Sequence, residues 1–161
     1  MSGPNWLDAQ QQQHWRAYLR GTRLLERALV DDLAPYRMQL TEYELLSMLS
    51  ESPGQRTRMS HLADDIVQSR SRVTHTAARL EKRGWVERCR ASDDGRGVEI
   101  VLTDAGRTIL DELAGVHVES VRRHLVDILT PEQFTALGEA MAAVRDRLAP
   151  EHHEIGLDDR A

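Results

Sequence analysis

A mainly α-helical fold carrying one small β-hairpin is predicted by three features of the sequence. Apolar residues recur at three-and-four spacing over most of the chain, the signature of helices with one buried face. That spacing changes to two only after Gly84, where two short alternating runs flank a glycine-rich segment. Aromatic residues make up only 4% of the chain, so the core is built from Leu, Val, Ala, Ile and Met, which suits packed helices better than a sandwich. With 161 residues, 40% of them hydrophobic, there is material for one domain, expected over 15–148 with tails at 1–14 (flexible) and 149–161 (acidic and disordered).

The first helix is carried by Trp15, Tyr18, Leu19, Leu25, Leu29 and Leu33 and stops at Pro35. The Gln run at 10–13 is too short to interpret. Thr41-Glu42-Tyr43-Glu44 reads as a capping box that opens a short second helix over about 42–51, ended by Ser52-Pro53-Gly54. Met59, Leu62, Ala63 and Ile66 then make a face about two turns long. Val67-Gln68-Ser69 interrupts it before Val73, Ala77 and Leu80 resume. This is a helix-turn-helix, with Ser69 as N-cap and Gly84 as the stop of its second helix.

Beyond Gly84, Trp85 to Arg90 and Val98 to Leu102 alternate as two strands, joined by Ser92-Asp93-Asp94-Gly95-Arg96-Gly97 as a hairpin tip. A helix-turn-helix followed at once by a β-hairpin is a winged helix, here expected over about 42–103. Thr103 caps a helix expected to run from Asp104 to Leu129, about 39 Å at 1.5 Å per residue. That is longer than a domain of this size can cover. Thr130-Pro131-Glu132-Gln133 opens a last helix through Phe134, Leu137, Met141, Val144 and Leu148. The terminal helices, about 15–34 and 104–148, carry more apolar face than one winged helix can bury, so a second copy of the chain is expected to cover it.

The net charge of −5 is unevenly distributed. Between Arg56 and Arg96 ten basic residues face six acidic ones, a local +4 that leaves −9 elsewhere. A basic face on an acidic body is compatible with DNA, because phosphate contacts are made by a patch and not by the total. No apolar run approaches 18 residues and the first fifteen positions lack the order of a signal peptide, which predicts a cytoplasmic protein. The single Cys89 cannot form an intramolecular disulfide and is read as structural. His117 and His124, and the pair His152-His153, lack metal-ligand spacing. With no phosphate loop, nucleophile elbow or catalytic carboxylate pair, neither enzyme activity nor a metal or cofactor is expected.

The order helix, helix, helix-turn-helix, hairpin, long helix, final helix resembles the MarR family of bacterial transcription regulators over about Trp15 to Leu148. The resemblance is carried by Leu62-Ala63, by Ser69-Arg70-Ser71-Arg72-Val73-Thr74, and by Leu80-Glu81-Lys82-Arg83-Gly84-Trp85-Val86-Glu87-Arg88. Asp94-Gly95-Arg96-Gly97-Val98 and Leu102-Thr103-Asp104-Ala105-Gly106 complete it. It departs from the family's wing at Gly95, a place often filled by Arg or Lys. The resemblance implies an obligate homodimer with intertwined terminal helices, bound to double-stranded DNA at a palindromic operator. It further implies a repressor released by a small phenolic or aromatic effector.

On that reading the recognition helix presents Gln68, Ser69, Arg70, Ser71, Arg72, Thr74 and His75 to the major groove, where arginine can pair with guanine through two hydrogen bonds. In the wing, Arg96 is the minor-groove probe, Asp94 orients the tip, and Arg88 and Arg90 flank the backbone. Trp15, Tyr18, Tyr36, Met38 and Met48 would line the effector cleft. The competing reading is a winged-helix module that uses the same hairpin for a protein partner. The arginines at both the helix start and the wing tip favour DNA.

Overall fold

The computed structural model describes residues 4–66, 68–91 and 97–148. Along these residues run α1 (Ala9–Leu33), α2 (Leu40–Glu51), β1 (Arg56–Arg58), α3 (Met59–Asp65) and α4 (Arg70–Lys82). They are followed by β2 (Val86–Arg90), β3 (Val98–Leu102), α5 (Asp104–His124) and α6 (Pro131–Leu148). Single 3-10 turns lie at Ala34–Tyr36, Pro53–Gln55 and Val126–Ile128. The winged helix-turn-helix read from the sequence is therefore present, and the hairpin tip with Asp94 and Arg96 lies outside the described residues.

Three boundaries correct the expectation. α1 begins at Ala9, so the tail is shorter than 1–14. The Gln11 amide donates to Asp8 Oδ1 at 2.8 Å and the Asp8 amide donates to Gln11 Oε1 at 3.0 Å. A capping box and helix-tolerant glutamines start this helix, with no apolar stripe to announce it. α2 begins at Leu40 because the box closes between Gln39 and Glu42, whose Oε2 accepts from the Gln39 amide at 3.0 Å, and not between Thr41 and Glu44. α5 stops at His124 and not at Leu129, since Leu125 leaves helical space at φ −139 and ψ −63. The apolar spacing of Leu125, Ile128 and Leu129 runs on through the break and so conceals it.

The core gathers Leu33 from α1, Leu45, Leu46 and Leu49 from α2, Leu62 from α3, and Val73 and Leu80 from α4. Val86 and Ile100 of the sheet and Leu110 and Leu113 of α5 close it. Full burial of each such side chain contributes about 2 kcal/mol. The sheet order is β1-β3-β2, all antiparallel, with Thr57 opposite Ile100 and Arg88 also opposite Ile100 from the other side. β1 is only three residues long and exists through its pairing with β3, so no alternation in the sequence could reveal it.

The joints around α4 follow the expected chemistry. Ser69 Oγ accepts from the Arg72 amide at 3.3 Å, and Gly84, at φ +74, turns the chain out of α4 into β2. Thr103 Oγ1 accepts from the Gly106 amide at 3.0 Å and donates to the Gly84 carbonyl at 2.7 Å, tying the start of α5 to that turn. A Cβ at Gly106 would lie 2.0 Å from the Trp85 carbonyl oxygen, so only glycine permits α5 to seat there. Thr130 and Gln133 cap α6 reciprocally at 2.9 and 3.3 Å.

One part of the chain is left uncovered. α6 buries none of its residues, and Phe134, Met141, Val144 and Leu148 face out with Trp15, Tyr18, Leu24 and Val30 of α1. Among the described residues no helix is long and apolar enough to cross a membrane.

Candidate nucleic-acid interface

α4 is fixed by one face and free on the other. Val73, Thr76, Ala77 and Leu80 are buried, which turns Arg70, Ser71, Thr74, His75 and Ala78 to solvent. Thr74 Oγ1 donates to the Arg70 carbonyl at 2.7 Å and Ser69 Oγ is occupied as the N-cap, so both hydroxyls are held in place. The fork of Arg70 stands at the N-terminal end of α4, where the helix dipole favours a phosphate or another anion. This surface can offer guanidinium, hydroxyl and imidazole groups to base edges and phosphates.

The remaining expected DNA contacts separate. Gln68 is half-buried, its Nε2 3.5 Å from Glu44 Oε2, so it belongs to the seam between α2 and α4. Arg72 is exposed on the flank of α4 and borders a cavity of about 510 Å³. In the hairpin, Arg90 is exposed. Arg88 instead turns back to Glu81 of α4, with Nε 2.9 Å from Oε2 and its amide 3.3 Å from Oε1. The hydrogen bonds from Arg88 hold the Glu81 carboxyl below the usual carboxylate range.

Sequence reasoning passed over Glu42. The residue is only 3% exposed, yet Oε1 accepts from Arg79 Nε at 3.0 Å while Oε2 meets Arg83 Nη1 at 3.5 Å as well as the Gln39 amide. Arg79 Nη2 also donates to Gln39 Oε1 at 2.8 Å. Arg83 Nη1 donates to the Arg37 carbonyl at 2.8 Å, and its guanidinium lies 3.6 Å from the centre of the Trp85 ring. The two arginines lie 37 and 41 positions from Glu42, and no local pattern signals either pair.

The cavity at Arg72 is lined by Glu26 and Val30 of α1, Leu40 and Glu44 of α2, and Ile66 and Gln68 before α4. Burial first, and the Glu26 charge second, push the Glu44 carboxyl up. None of the five residues expected in the effector cleft lines it. Met38 is in the core, Met48 packs against it, and Trp15, Tyr18 and Tyr36 are 41–47% exposed. Trp15 and Tyr18, three apart on one face of α1, stack with ring centres 5.9 Å apart.

Cys89 is half-buried on β2, with Arg56 Nη2 3.7 Å from its sulfur and 2.6 Å from Glu99 Oε2. Among the described residues no group of three or more His, Cys, Asp and Glu side chains is placed to hold a metal ion. His117 packs its ring 4.3 Å from that of Tyr43, and its buried Nδ1 lacks a hydrogen-bond partner; burial pushes its pKa down.

Comparison with known proteins agrees with this fold. A sequence profile of the MarR family matches residues 38–98, the segment from the start of α2 to β3. The chain is similar to Sco3205 of Streptomyces coelicolor, a MarR family transcriptional regulator solved in complex with DNA. The two share 42% identity and a TM-score of 0.88, over 98% of this chain and 99% of that one. AbsC of the same organism, also a MarR family transcriptional regulator, is 41% identical with a TM-score of 0.85, over 90% and 98% of the two chains. The transcriptional regulator PecS of Dickeya dadantii is 29% identical over 133 residues, 80% of this chain and 78% of PecS.

Proposed function

The chain belongs to the MarR family of transcriptional regulators, and from that premise we propose that it binds double-stranded DNA sequence-specifically as a homodimer and represses transcription. The observation that carries this reading is the solvent face of α4, where Arg70, Ser71, Thr74 and His75 stand together on a helix whose opposite face is locked in the core. Arg70 reads bases at the helix start, Arg90 approaches the backbone, and Arg96, outside the described residues, is the minor-groove probe. The protein-docking alternative has no comparable support, since the similar regulator Sco3205 is solved on DNA.

The uncovered faces of α1 and α6 support the dimer. Two recognition helices related by a two-fold axis would meet successive major grooves about 34 Å apart and so select a palindrome. The cavity between α1, α2 and α4 supports an effector site. Its volume suits a small aromatic molecule, and Arg72 at its border can pair with a phenolate while belonging to the DNA-reading helix. Occupation of the cavity would shift the spacing of the two recognition helices away from the DNA repeat.

Selection of genomic fragments with the purified protein tests the reading. A palindromic motif bound by a dimer in light scattering is the expected result. A monomer, or binding that ignores sequence even at low ionic strength, overturns it. The effector part fails separately if no phenolic or aromatic compound raises the melting temperature or releases the selected DNA.

A further inference from the structure

We propose that Glu42 is a positioning residue for DNA recognition: a buried carboxylate that sets the tilt of α4 and withholds Arg79 and Arg83 from phosphates. The inference rests on the DNA-binding reading above. It starts from the cost of the arrangement. A glutamate 3% exposed is tolerated only when opposite charges and donors replace its water, and here two guanidinium groups and a backbone amide do so. Leucine at such a place would be far less costly to bury, so packing alone does not account for a glutamate.

The geometry shows what the charge accomplishes. Glu42 stands in the first turn of α2, and its two arginines come from the last turn of α4 and the turn that follows. Arg83 also reaches the Arg37 carbonyl, at the left-handed residue that joins α1 to α2. Glu42 and Arg83 together thus tie the rear of the recognition helix to the joint between α1 and α2. The DNA-facing end at Arg70 lies nine residues ahead of Arg79, a lever of about 13 Å. A tilt of about 10° at the rear would displace the front by about 2 Å, more than a two-hydrogen-bond base contact tolerates.

Two consequences follow for a variant without the charge. The front loses its fixed approach, so discrimination between sequences falls. Arg79 and Arg83 keep only neutral partners, among them the Gln39 amide oxygen, the Arg37 carbonyl and the Trp85 ring, so their charges are no longer neutralised and attraction to any duplex grows and depends more steeply on salt. A residue that merely held the fold together would change neither the ratio between sequences nor the salt slope, because partial unfolding lowers binding to every duplex alike.

The experiment compares the wild-type chain with Glu42→Gln and Arg79→Gln, on a duplex selected by the wild-type protein and on its scrambled counterpart. Each is titrated at several salt concentrations, well below the variant's melting temperature. For Glu42→Gln the ratio of the two affinities is expected to fall about tenfold, and the slope of log affinity against log salt to steepen by about one to two, the number of cations no longer neutralised. For Arg79→Gln, which leaves Glu42 paired with Arg83, the ratio falls about threefold without a steeper slope. Should Glu42→Gln fail to fold, the Arg79→Gln ratio decides alone. An unchanged ratio in the folded variants overturns the positioning role. A wild-type chain that fails to distinguish the two duplexes overturns the DNA-binding reading itself, and this role with it.

Discussion

The arginines at the front of α4 and those at and just beyond its rear are the same type of residue within fourteen positions, and the fold treats them oppositely. Arg70 and Arg72 stand exposed at the N-terminal end, whereas Arg79 and Arg83 are drawn onto the buried Glu42, and Arg88 of the adjoining strand onto Glu81. The basic count over residues 56–96 gave all of them to one patch. What separates them is whether an acidic partner sits across the packing seam. On the proposed reading, the recognition surface is the part of a basic segment that the rest of the fold leaves unpaired, and its paired part serves as the mount.

Four measurements would break or sharpen this contrast. The largest effect is expected where α5 seats against the turn that follows α4. Gly106→Ala sets a methyl against the Trp85 carbonyl and should destabilise the chain by about 3 kcal/mol or more. At this size that corresponds to a melting temperature lower by about 6–12 °C in calorimetry, and a loss below about 1 kcal/mol would show that α5 can shift freely. Next comes the front. Arg70→Ala should weaken the selected duplex about tenfold or more while leaving the melting temperature within about 1 °C, since the side chain is solvent-exposed. Equal loss on a scrambled duplex would reassign it from bases to phosphates.

The third concerns acid. Burial lowers the His117 pKa, so the folded chain favours the neutral ring and the unfolded chain takes up the proton first, near pH 6.5. Stability is accordingly full above that pH and declines as pH falls through it. His117→Leu should flatten the melting temperature between pH 7 and 5 relative to wild type, and an unchanged slope would place the acid sensitivity elsewhere. The smallest effect belongs to Arg88→Ala. Its pair with Glu81 is about one-third exposed on each side, so chemical denaturation should show a loss of at most about 0.5 kcal/mol. A loss of DNA affinity as large as that of Arg70→Ala would return Arg88 to the reading surface.

Much of the winged helix was legible because its joints are written locally. Ser69, Gly84, Thr103 and the Thr130 to Gln133 box each act within a few residues, and each caps or turns as read. The errors arose where the local signal was silent or continuous. α1 starts on a polar capping box ahead of its apolar stripe, β1 exists only by pairing with β3, and the stripe of α5 runs through its own break at Leu125. The exposure of the front of α4 was legible, since it depends on helix period alone. The Glu42 mount was not, because the spacing of acid and base in the chain carries no information on which of them meet.

α6 buries none of its eighteen residues, and this makes abundance a structural variable. If α6 and the exposed face of α1 find their cover on a second copy, their order depends on protein concentration, while the core that α2–α4 and the sheet share with the buried faces of α1 and α5, complete within one chain, does not. Dilution would then loosen the ends first and leave two intact but unlinked readers, each limited to half a palindrome. The threshold for occupying an operator would be set as much by how many chains the cell holds as by how well any one of them fits.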